Sequence, residues 1–265
     1  MYVSRELSER RHAEIIASEP AGLGATRANL SRLLRTLDFV GWSTHEESGR
    51  LDRRALTRYA TGSVNIFSRR DIKESEKTAV SILIDCSGSM DNERIVIAQE
   101  FAVHLSRLLN RTRVPFAVTG FHRERGNQKN INGDDVITSV PIFIPFKRWG
   151  ESYGKAVAKL GAINQVACGG TPDYSAIHNA LDEISRREEN RKLLFILTDA
   201  DGYAVKQIQH LQNMADSLGV TIIAIGVGRT DVEKCFTNAE NVADIKDLAS
   251  ASFNRLLKTV EKSAR

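Results

Sequence analysis

Residues 79–89, AVSILIDCSGS, contain the pattern on which the interpretation of this chain depends. The run of mainly apolar and β-favouring residues predicts a strand that is buried on both faces. The run stops at Asp85, and two hydroxyl side chains follow at Ser87 and Ser89. Residues 91–93 then predict a helix start, because apolar residues follow at the spacing of one helical face: Ala98, Phe101, Ala102, Leu105, Leu108 and Leu109. The unit is a strand, an oxygen-rich loop and a helix.

The length and composition are those of a soluble globular protein. The chain has 265 residues, of which 42% are hydrophobic and 26% are charged. This is enough for one domain of about 200 residues and an appendage. No window approaches the roughly 18 apolar residues that span a bilayer, and residues 1–6 lack the apolar core of a signal peptide. We therefore expect a cytoplasmic protein with no membrane partner.

The positive charge is concentrated in the N-terminal segment. Residues 1–70 contain twelve arginines, no lysine and eight acidic residues, whereas acidic and basic residues balance in the remainder. Aromatic residues are not interleaved with these arginines, which favours a solvated helical face over a nucleic-acid surface. We expect no nucleic-acid partner.

The three cysteines are Cys86, Cys168 and Cys235. Their odd number and the absence of Cys-x-x-Cys spacing argue against a disulfide framework and against a zinc site. Reduced thiols are the favoured interpretation. A redox pair of Cys86 and Cys168 is the alternative, since both flank loops assigned to the same site below.

The sequence pattern divides the chain into two parts. Residues 1–77 predict an N-terminal helical extension and a charged connector over 71–77, with helices expected around Leu30–Leu37 and from Leu51. Residues 78–265 alternate between strand and helix patterns, which predicts an α/β domain with a mainly parallel sheet. A boundary at residue 77 follows from this change of pattern.

Further strands are predicted over 114–121, 136–146, 192–199, 220–227 and 241–244, with a closing helix over 248–260. The polar stretch 122–135 predicts a loop. Pro141 and Pro145 confine the strand over 136–146 to a sheet edge, because proline cannot donate a ladder hydrogen bond.

Three predicted loops converge at the carboxyl ends of these strands, where open α/β sheets bind ligands. One carries Asp85, Ser87 and Ser89, the second includes Thr171, and the third begins at Asp199. Hydroxyls and carboxylates without histidine or cysteine form the ligand set of a hard divalent cation such as Mg²⁺.

This arrangement resembles the metal-ion-dependent adhesion site of von Willebrand factor A domains, over about residues 78–265. The resemblance implies a doubly wound, mainly parallel six-stranded sheet with one antiparallel edge strand. It also implies that Mg²⁺, or another divalent cation such as Mn²⁺, is held by five residues: Asp85, Ser87, Ser89, Thr171 and Asp199. An open coordination position would accept an acidic side chain of a partner, so we expect metal-bridged protein binding and no catalytic residue.

Simpler roles remain open for these residues. Ser87 and Ser89 could cap the following helix, and Thr171 could be an N-cap with proline at the first helical position. Asp201 is a rival to Asp199. A Mg²⁺-dependent hydrolase with Asp85 or Ser87 as nucleophile is a further alternative, but no Gly-x-Ser-x-Gly motif or evident histidine base supports it.

A second resemblance indicates a partner. Residues 42–67, together with LIDCSGSM at 83–90 and AIGVG at 224–228, are similar to the CobT subunit of aerobic cobaltochelatase. This implies an adaptor for a AAA+ ATPase subunit, and for a large chelatase subunit, in cobalt insertion into a corrin ring. The chain lacks a phosphate-binding Gly-x-x-x-x-Gly-Lys-Ser/Thr loop, so we expect ATP hydrolysis by the partner. Its short, net-basic N-terminal segment differs from that family and predicts a shortened relative or a fragment. A generic von Willebrand factor A scaffold or adhesion protein is the alternative.

Overall fold

The structure is a computed structural model that describes residues 4–18, 28, 40–46, 48, 50–51, 67–72, 78–90, 92–129, 135–200, 203–228 and 230–243. The helices predicted around Leu30–Leu37 and over 248–260 lie outside these residues, as does Asp201.

The described residues form nine strands and six α-helices. The strands are β1 Val40–Glu46, β2 Arg50–Leu51, β3 Phe67–Ile72, β4 Thr78–Asp85, β5 Phe116–Lys129, β6 Asp135–Lys147, β7 Arg191–Thr198, β8 Val220–Val227 and β9 Ala239–Val242. The helices are α1 Arg5–Ala17, α2 Glu93–Arg111, α3 Tyr153–Gly161, α4 Asp173–Ser185, α5 Val205–Ser217 and α6 Val232–Cys235.

Six of these strands form the main sheet, in the order β6-β5-β4-β7-β8-β9. The pairs from β5 through β4, β7 and β8 to β9 are parallel, and β6 is antiparallel to β5 at the sheet edge. This confirms the predicted six-stranded, mainly parallel sheet with one antiparallel edge strand.

Strand β4 lies in the middle of this sheet, and all eight of its residues are buried. Its side chains alternate between two apolar clusters. Ile82 and Ile84 belong to the cluster that contains α2 and α3 residues, whereas Leu83 belongs to the cluster with α4 and α5 residues. Helices therefore cover both faces of the sheet, which explains why the strand sequence is mainly apolar. The predicted apolar face of α2 is buried throughout.

The prediction of a loop over residues 122–135 is wrong for much of that stretch. Strand β5 continues to Lys129, and β6 begins at Asp135. Strand β5 pairs with β4 only over Phe116–Phe121, so residues 122–129 pair, within the described chain, with β6 alone. A two-stranded ribbon beyond the main sheet does not need apolar residues on both faces, and for this reason the polar sequence resembled a loop.

The N-terminal part contains the predicted helix and also strands that were not predicted. Helix α1 packs on α3 and α2, and its Ile15 is buried in the core. Strands β1, β3 and β2 form a three-stranded antiparallel sheet where the sequence had suggested helices. Leu51 lies in β2, and Asp71, assigned to the connector, lies in β3. Short strands with polar sequences give too few residues for a clear period of two.

Two further expectations concern membrane crossing and the domain boundary. None of the described helices combines the length and the apolar character needed to cross a bilayer. The domain boundary at residue 77 stays a prediction, although β4 begins at Thr78.

Candidate metal site

Asp85 and Asp199 lie side by side at one edge of the main sheet. Asp85 is the last residue of β4, and Asp199 directly follows β7. The two strands are parallel neighbours, with Ile84 opposite Leu197, so their carboxyl ends meet at the same edge. The topology therefore brings the two predicted carboxylate ligands together, as the sequence suggested.

The Asp85 carboxylate is fully buried and held at both oxygens. Ser87 N donates to Asp85 Oδ1 at 2.9 Å, and Thr198 Oγ1 donates to Asp85 Oδ2 at 2.8 Å. Burial raises the pKa of Asp85 to about 6, although the hydrogen bonds from Ser87 and Thr198 favour its ionised form. A positive charge near this carboxylate would stabilise its ionised form.

Ser87 and Ser89 present their hydroxyl groups to each other, with the two Oγ atoms 3.0 Å apart. Neither residue caps α2: that helix begins at Glu93 with Asn92 at its N-cap position. The helix-cap alternative is therefore wrong for both serines. Both hydroxyls lie in the loop that directly follows Asp85, and their role as metal ligands stays a prediction.

The loop that contains Thr171 is fixed against the first loop by backbone hydrogen bonds. Gly88 N donates to Gly169 O at 2.9 Å, and Gly170 exchanges two backbone hydrogen bonds with Arg123 of β5. Gly169 has φ of +70°, in the left-handed region. Thr171 is half-buried, and α4 begins at Asp173 with Pro172 as its N-cap residue, so Thr171 is not the N-cap.

Arg94 is the residue at this edge that sequence reasoning missed most clearly. It lies in the first turn of α2, and its Nη1 donates to Asp199 Oδ2 at 2.8 Å and to Ser89 O at 3.1 Å. The Asp199 side chain is 2% exposed and that of Arg94 is 42% exposed. A charged residue in the first turn of a helix is common on protein surfaces, so no sequence pattern indicated this contact.

Thr198 and Tyr203 were also missed. Thr198 Oγ1 accepts a hydrogen bond from Ala200 N while donating to Asp85, so it connects the two strand ends. The Tyr203 side chain is buried, and its hydroxyl lies near Thr198. Burial raises the pKa of Tyr203 well above its usual value, and the charge of Asp85 adds to this effect. The sequence position of Thr198, at the end of a buried strand and next to Asp199, could have indicated its place at this site.

The donor set suits a hard divalent cation. Two carboxylates and two paired hydroxyls occupy adjacent strand-end loops, and oxygen ligands of this kind are those that Mg²⁺ and Mn²⁺ prefer. Within the described ranges no group of three or more His, Cys, Asp or Glu side chains could hold a metal ion. A cation at this edge would therefore depend on the serine hydroxyls as well as on Asp85 and Asp199.

The same geometry offers little to a serine nucleophile. Ser87 Oγ lies 3.0 Å from Ser89 Oγ, and the Ser87 side chain also contacts the Asp85 carboxylate. His122, the buried histidine near this edge, instead contacts Cys168 Sγ through Nδ1 at 3.5 Å. A serine–histidine arrangement requires a histidine within hydrogen-bond reach of the serine hydroxyl, and His122 contacts Cys168 instead.

Cys86 and Cys168 are neighbours through the backbone, since Cys168 N donates to Cys86 O at 2.9 Å. All three cysteines are free thiols, and Cys86 is buried whereas Cys168 is exposed. Burial raises the pKa of the Cys86 thiol far above its usual value. Cys86 therefore acts as a small packing residue below the site.

Comparison with known proteins gives one family and several similar folds. The family model of the von Willebrand factor type A domain matches residues 79–264. Similar solved structures include the conserved hypothetical protein BatB from Bacteroides thetaiotaomicron, with 14% identity and a TM-score of 0.48 over 70% of this chain and 99% of that one.

Manganese-loaded Plasmodium vivax TRAP protein has 17% identity and a TM-score of 0.47, over 70% of this chain and 74% of its own. Proximal thread matrix protein 1 from the mussel byssus, described with a zinc-occupied MIDAS motif, has 16% identity and a TM-score of 0.49, over 71% of this chain and 46% of its own.

Proposed function

Because the chain belongs to the von Willebrand factor type A domain family, we propose that it is a non-catalytic protein-binding domain that requires a divalent cation, Mg²⁺ or Mn²⁺. The proposed ligands are Asp85, Ser87, Ser89, Thr171 and Asp199. The proposed partner contributes an acidic side chain to the same cation.

The environment of Asp85 carries this proposal. Its carboxylate is fully buried at the end of the central strand, yet it lies beside the paired hydroxyls of Ser87 and Ser89 and near a second buried carboxylate, Asp199. Asp199 is paired with Arg94, but the Asp85 carboxylate is held by neutral donors, and a buried carboxylate without a compensating positive charge is costly. An apolar or amide side chain would serve packing at this position better than an aspartate does.

The chain's own residues provide a preorganised cradle. Ser87 N and Thr198 Oγ1 fix the orientation of the Asp85 carboxylate, and the Gly88–Gly169 hydrogen bond fixes the loop of Thr171 beside it. A bound divalent cation would supply a charge centre with an open position for a carboxylate oxygen of the partner. Two protein carboxylates neutralise such an ion, and on this proposal the partner's acidic side chain takes the open position.

We further propose that the partner is a AAA+ ATPase subunit, together with a large chelatase subunit, in a cobaltochelatase-like complex. Support for this step comes from the sequence similarity of residues 42–67, 83–90 and 224–228 to the CobT subunit. On this proposal the chain acts as an adaptor in metal insertion into a corrin ring. A scaffold or adhesion role with a different partner would use the same site.

Mn²⁺ binding tests the site, measured as the loss of the free-ion signal in electron paramagnetic resonance. Asp85→Asn removes the charge and keeps the shape of the side chain. Asp182→Asn is the matched control, since Asp182 pairs with Arg186 on the surface of α4. We expect wild type and D182N to bind alike and D85N to bind at least about tenfold more weakly. Equal binding by D85N and wild type would contradict the proposed cation site.

Co-purification tests the partner separately. A tagged chain is mixed with the AAA+ ATPase subunit and the large subunit of a cobaltochelatase, in Mg²⁺ or in excess EDTA. We expect capture of the ATPase by wild type and D182N in Mg²⁺, and its loss in EDTA and with D85N. Normal Mn²⁺ binding without capture of either subunit would leave the cation site intact and favour a scaffold role.

A further inference from the structure

Arg94 places a positive charge in contact with the proposed cation site. Its Nη1 contacts both the Ser89 carbonyl oxygen and Asp199 Oδ2, at 3.1 and 2.8 Å. Gly228 lies on its other side, where a side chain would begin 3.4 Å from Arg94 Nε. The guanidinium thus lies between the carboxyl ends of β4, β7 and β8.

The two partners of this ion pair differ strongly in exposure. The Asp199 side chain is 2% exposed, whereas 42% of the Arg94 side chain remains exposed. The Asp199 side chain therefore lies in the interior, whereas the Arg94 side chain borders solvent. A buried carboxylate needs a compensating charge, and Arg94 supplies it in this structure.

A divalent cation and Arg94 compete for the same carboxylate. Like charges within about 6 Å repel, and the repulsion is weakly screened where the groups are partly buried. A cation bound by Asp199 must therefore displace the guanidinium or tolerate it nearby. Either outcome lowers the affinity of the site below that of the same ligands without Arg94.

We propose that Arg94 is a built-in competing cation that neutralises Asp199 in the metal-free protein and sets the cation affinity of the site. The proposal rests on the proposed function, because it requires that the site bind a divalent cation. In this role Arg94 is a positioning residue that acts through Asp199.

The first test is Mn²⁺ affinity at low ionic strength. Arg94→Gln removes the charge, Arg94→Lys keeps it without the planar donor geometry, and Arg111→Gln removes one charge from the opposite end of α2, about 25 Å away along the helix. We expect R94Q to bind Mn²⁺ at least about tenfold more tightly than wild type, R94K to lie between them, and R111Q to stay within about twofold of wild type. Affinity of R94Q equal to or below that of wild type would overturn the proposal.

The second test separates competition from a purely structural role. We expect R94Q to unfold at lower urea concentration than wild type in EDTA, and at the wild-type concentration or above in saturating Mn²⁺. A structural role predicts the same loss of stability in both conditions, and that result would overturn the proposal. Wild type and D85N binding Mn²⁺ equally would instead refute the cation site itself, whatever R94Q does.

Discussion

Single residues at the carboxyl edge of the sheet show how two buried carboxylates are tolerated. Asp85 is satisfied by neutral donors, a backbone N–H and the Thr198 hydroxyl, whereas Asp199 is paired with the charge of Arg94. The two arrangements differ in whether the carboxylate can change its partner. Neutral donors orient Asp85 permanently, but the ion pair of Asp199 can be exchanged for another cation.

Gly169 offers a sharp test of the loop that places Thr171. A Cβ at this position would overlap the Arg123 carbonyl oxygen, and the backbone has φ of +70°. We expect Gly169→Ala to lower the free energy of unfolding by about 2 kcal/mol or more, since either effect alone costs about 1–3 kcal/mol. It should also weaken Mn²⁺ binding, because Gly169 O accepts the hydrogen bond from Gly88 in the first loop.

The adjacent Gly170 is the matched control for this substitution. A Cβ there would lie 3.7 Å from Arg123 Cβ, an ordinary contact. Gly170→Ala should change the urea unfolding free energy by less than about 0.5 kcal/mol and leave Mn²⁺ binding unchanged. If both variants behaved alike, close packing at Gly169 would not be what positions the loop.

The candidate ligands could be predicted from sequence because each follows a recognisable strand or precedes a recognisable helix. Asp85 and Asp199 end runs of buried residues, and the topology rule for parallel sheets then places them together. Arg94 could not be predicted in this way. Its contact with Asp199 joins residues 105 positions apart, and helix periodicity does not report side-chain direction across a loop.

At the scale of elements, helix α1 is attached to the main domain by a close backbone contact. A Cβ at Gly161, the last residue of α3, would overlap the Ser8 carbonyl oxygen. Ile15 is buried at the same interface, and His12 Nε2 lies 2.9 Å from the Tyr153 hydroxyl. These contacts show that α1 is an integral part of the folded unit.

Gly161→Ala should therefore weaken the packing of α1. We expect a loss of about 2 kcal/mol or more in unfolding free energy, because a backbone atom cannot move aside as a flexible side chain can. Gly154→Ala in the same helix is the control: a Cβ there would meet nothing within 4 Å. It should raise stability by up to about 1 kcal/mol through helix propensity. Destabilisation by G154A equal to that by G161A would indicate a general effect on α3.

The docking of α1 should also depend on pH through His12. Burial lowers the pKa of His12, and the charges of Arg107 and His104 on α2 add to the lowering. Below about pH 6.5 the unfolded chain binds a proton that the folded chain resists, so this contribution to stability is complete above pH 6.5 and is lost as the pH falls. Between about pH 8 and pH 5.5, the melting temperature of the His12→Gln variant should fall by less than that of the wild type. Identical losses in the two proteins would exclude His12 as the titrating group.

The elements predicted wrongly share a physical cause. The part of β5 beyond Phe121 and the sheet of β1, β3 and β2 are short or polar, and their register depends on partner strands, whereas the edge strand β6 was predicted correctly. The core strands β4, β7 and β8 were predicted well because burial on both faces makes most of their residues apolar. Sequence patterns indicate which residues are buried more directly than they indicate which strands pair.

For the whole molecule, the proposed cation site exists only when the complete sheet is folded. Asp85 and Asp199 belong to strands far apart in sequence, and the loop of Thr171 reaches them through hydrogen bonds to Gly88 and Arg123. The unfolded chain keeps none of these groups together. A cation that binds here must therefore stabilise the folded state of the entire domain against the unfolded state.

This coupling predicts how stability depends on cation concentration. Above the dissociation constant, each tenfold rise in free Mg²⁺ or Mn²⁺ should raise the free energy of unfolding by about 1.4 kcal/mol, measured from urea midpoints at constant ionic strength. EDTA should reverse the effect, and D85N should show little of it, while D182N should follow wild type. A dependence of the same size in D85N would mean that the stabilising ion binds elsewhere, because the Asp85 carboxylate is the one ligand of the proposed set that lies fully buried on the central strand.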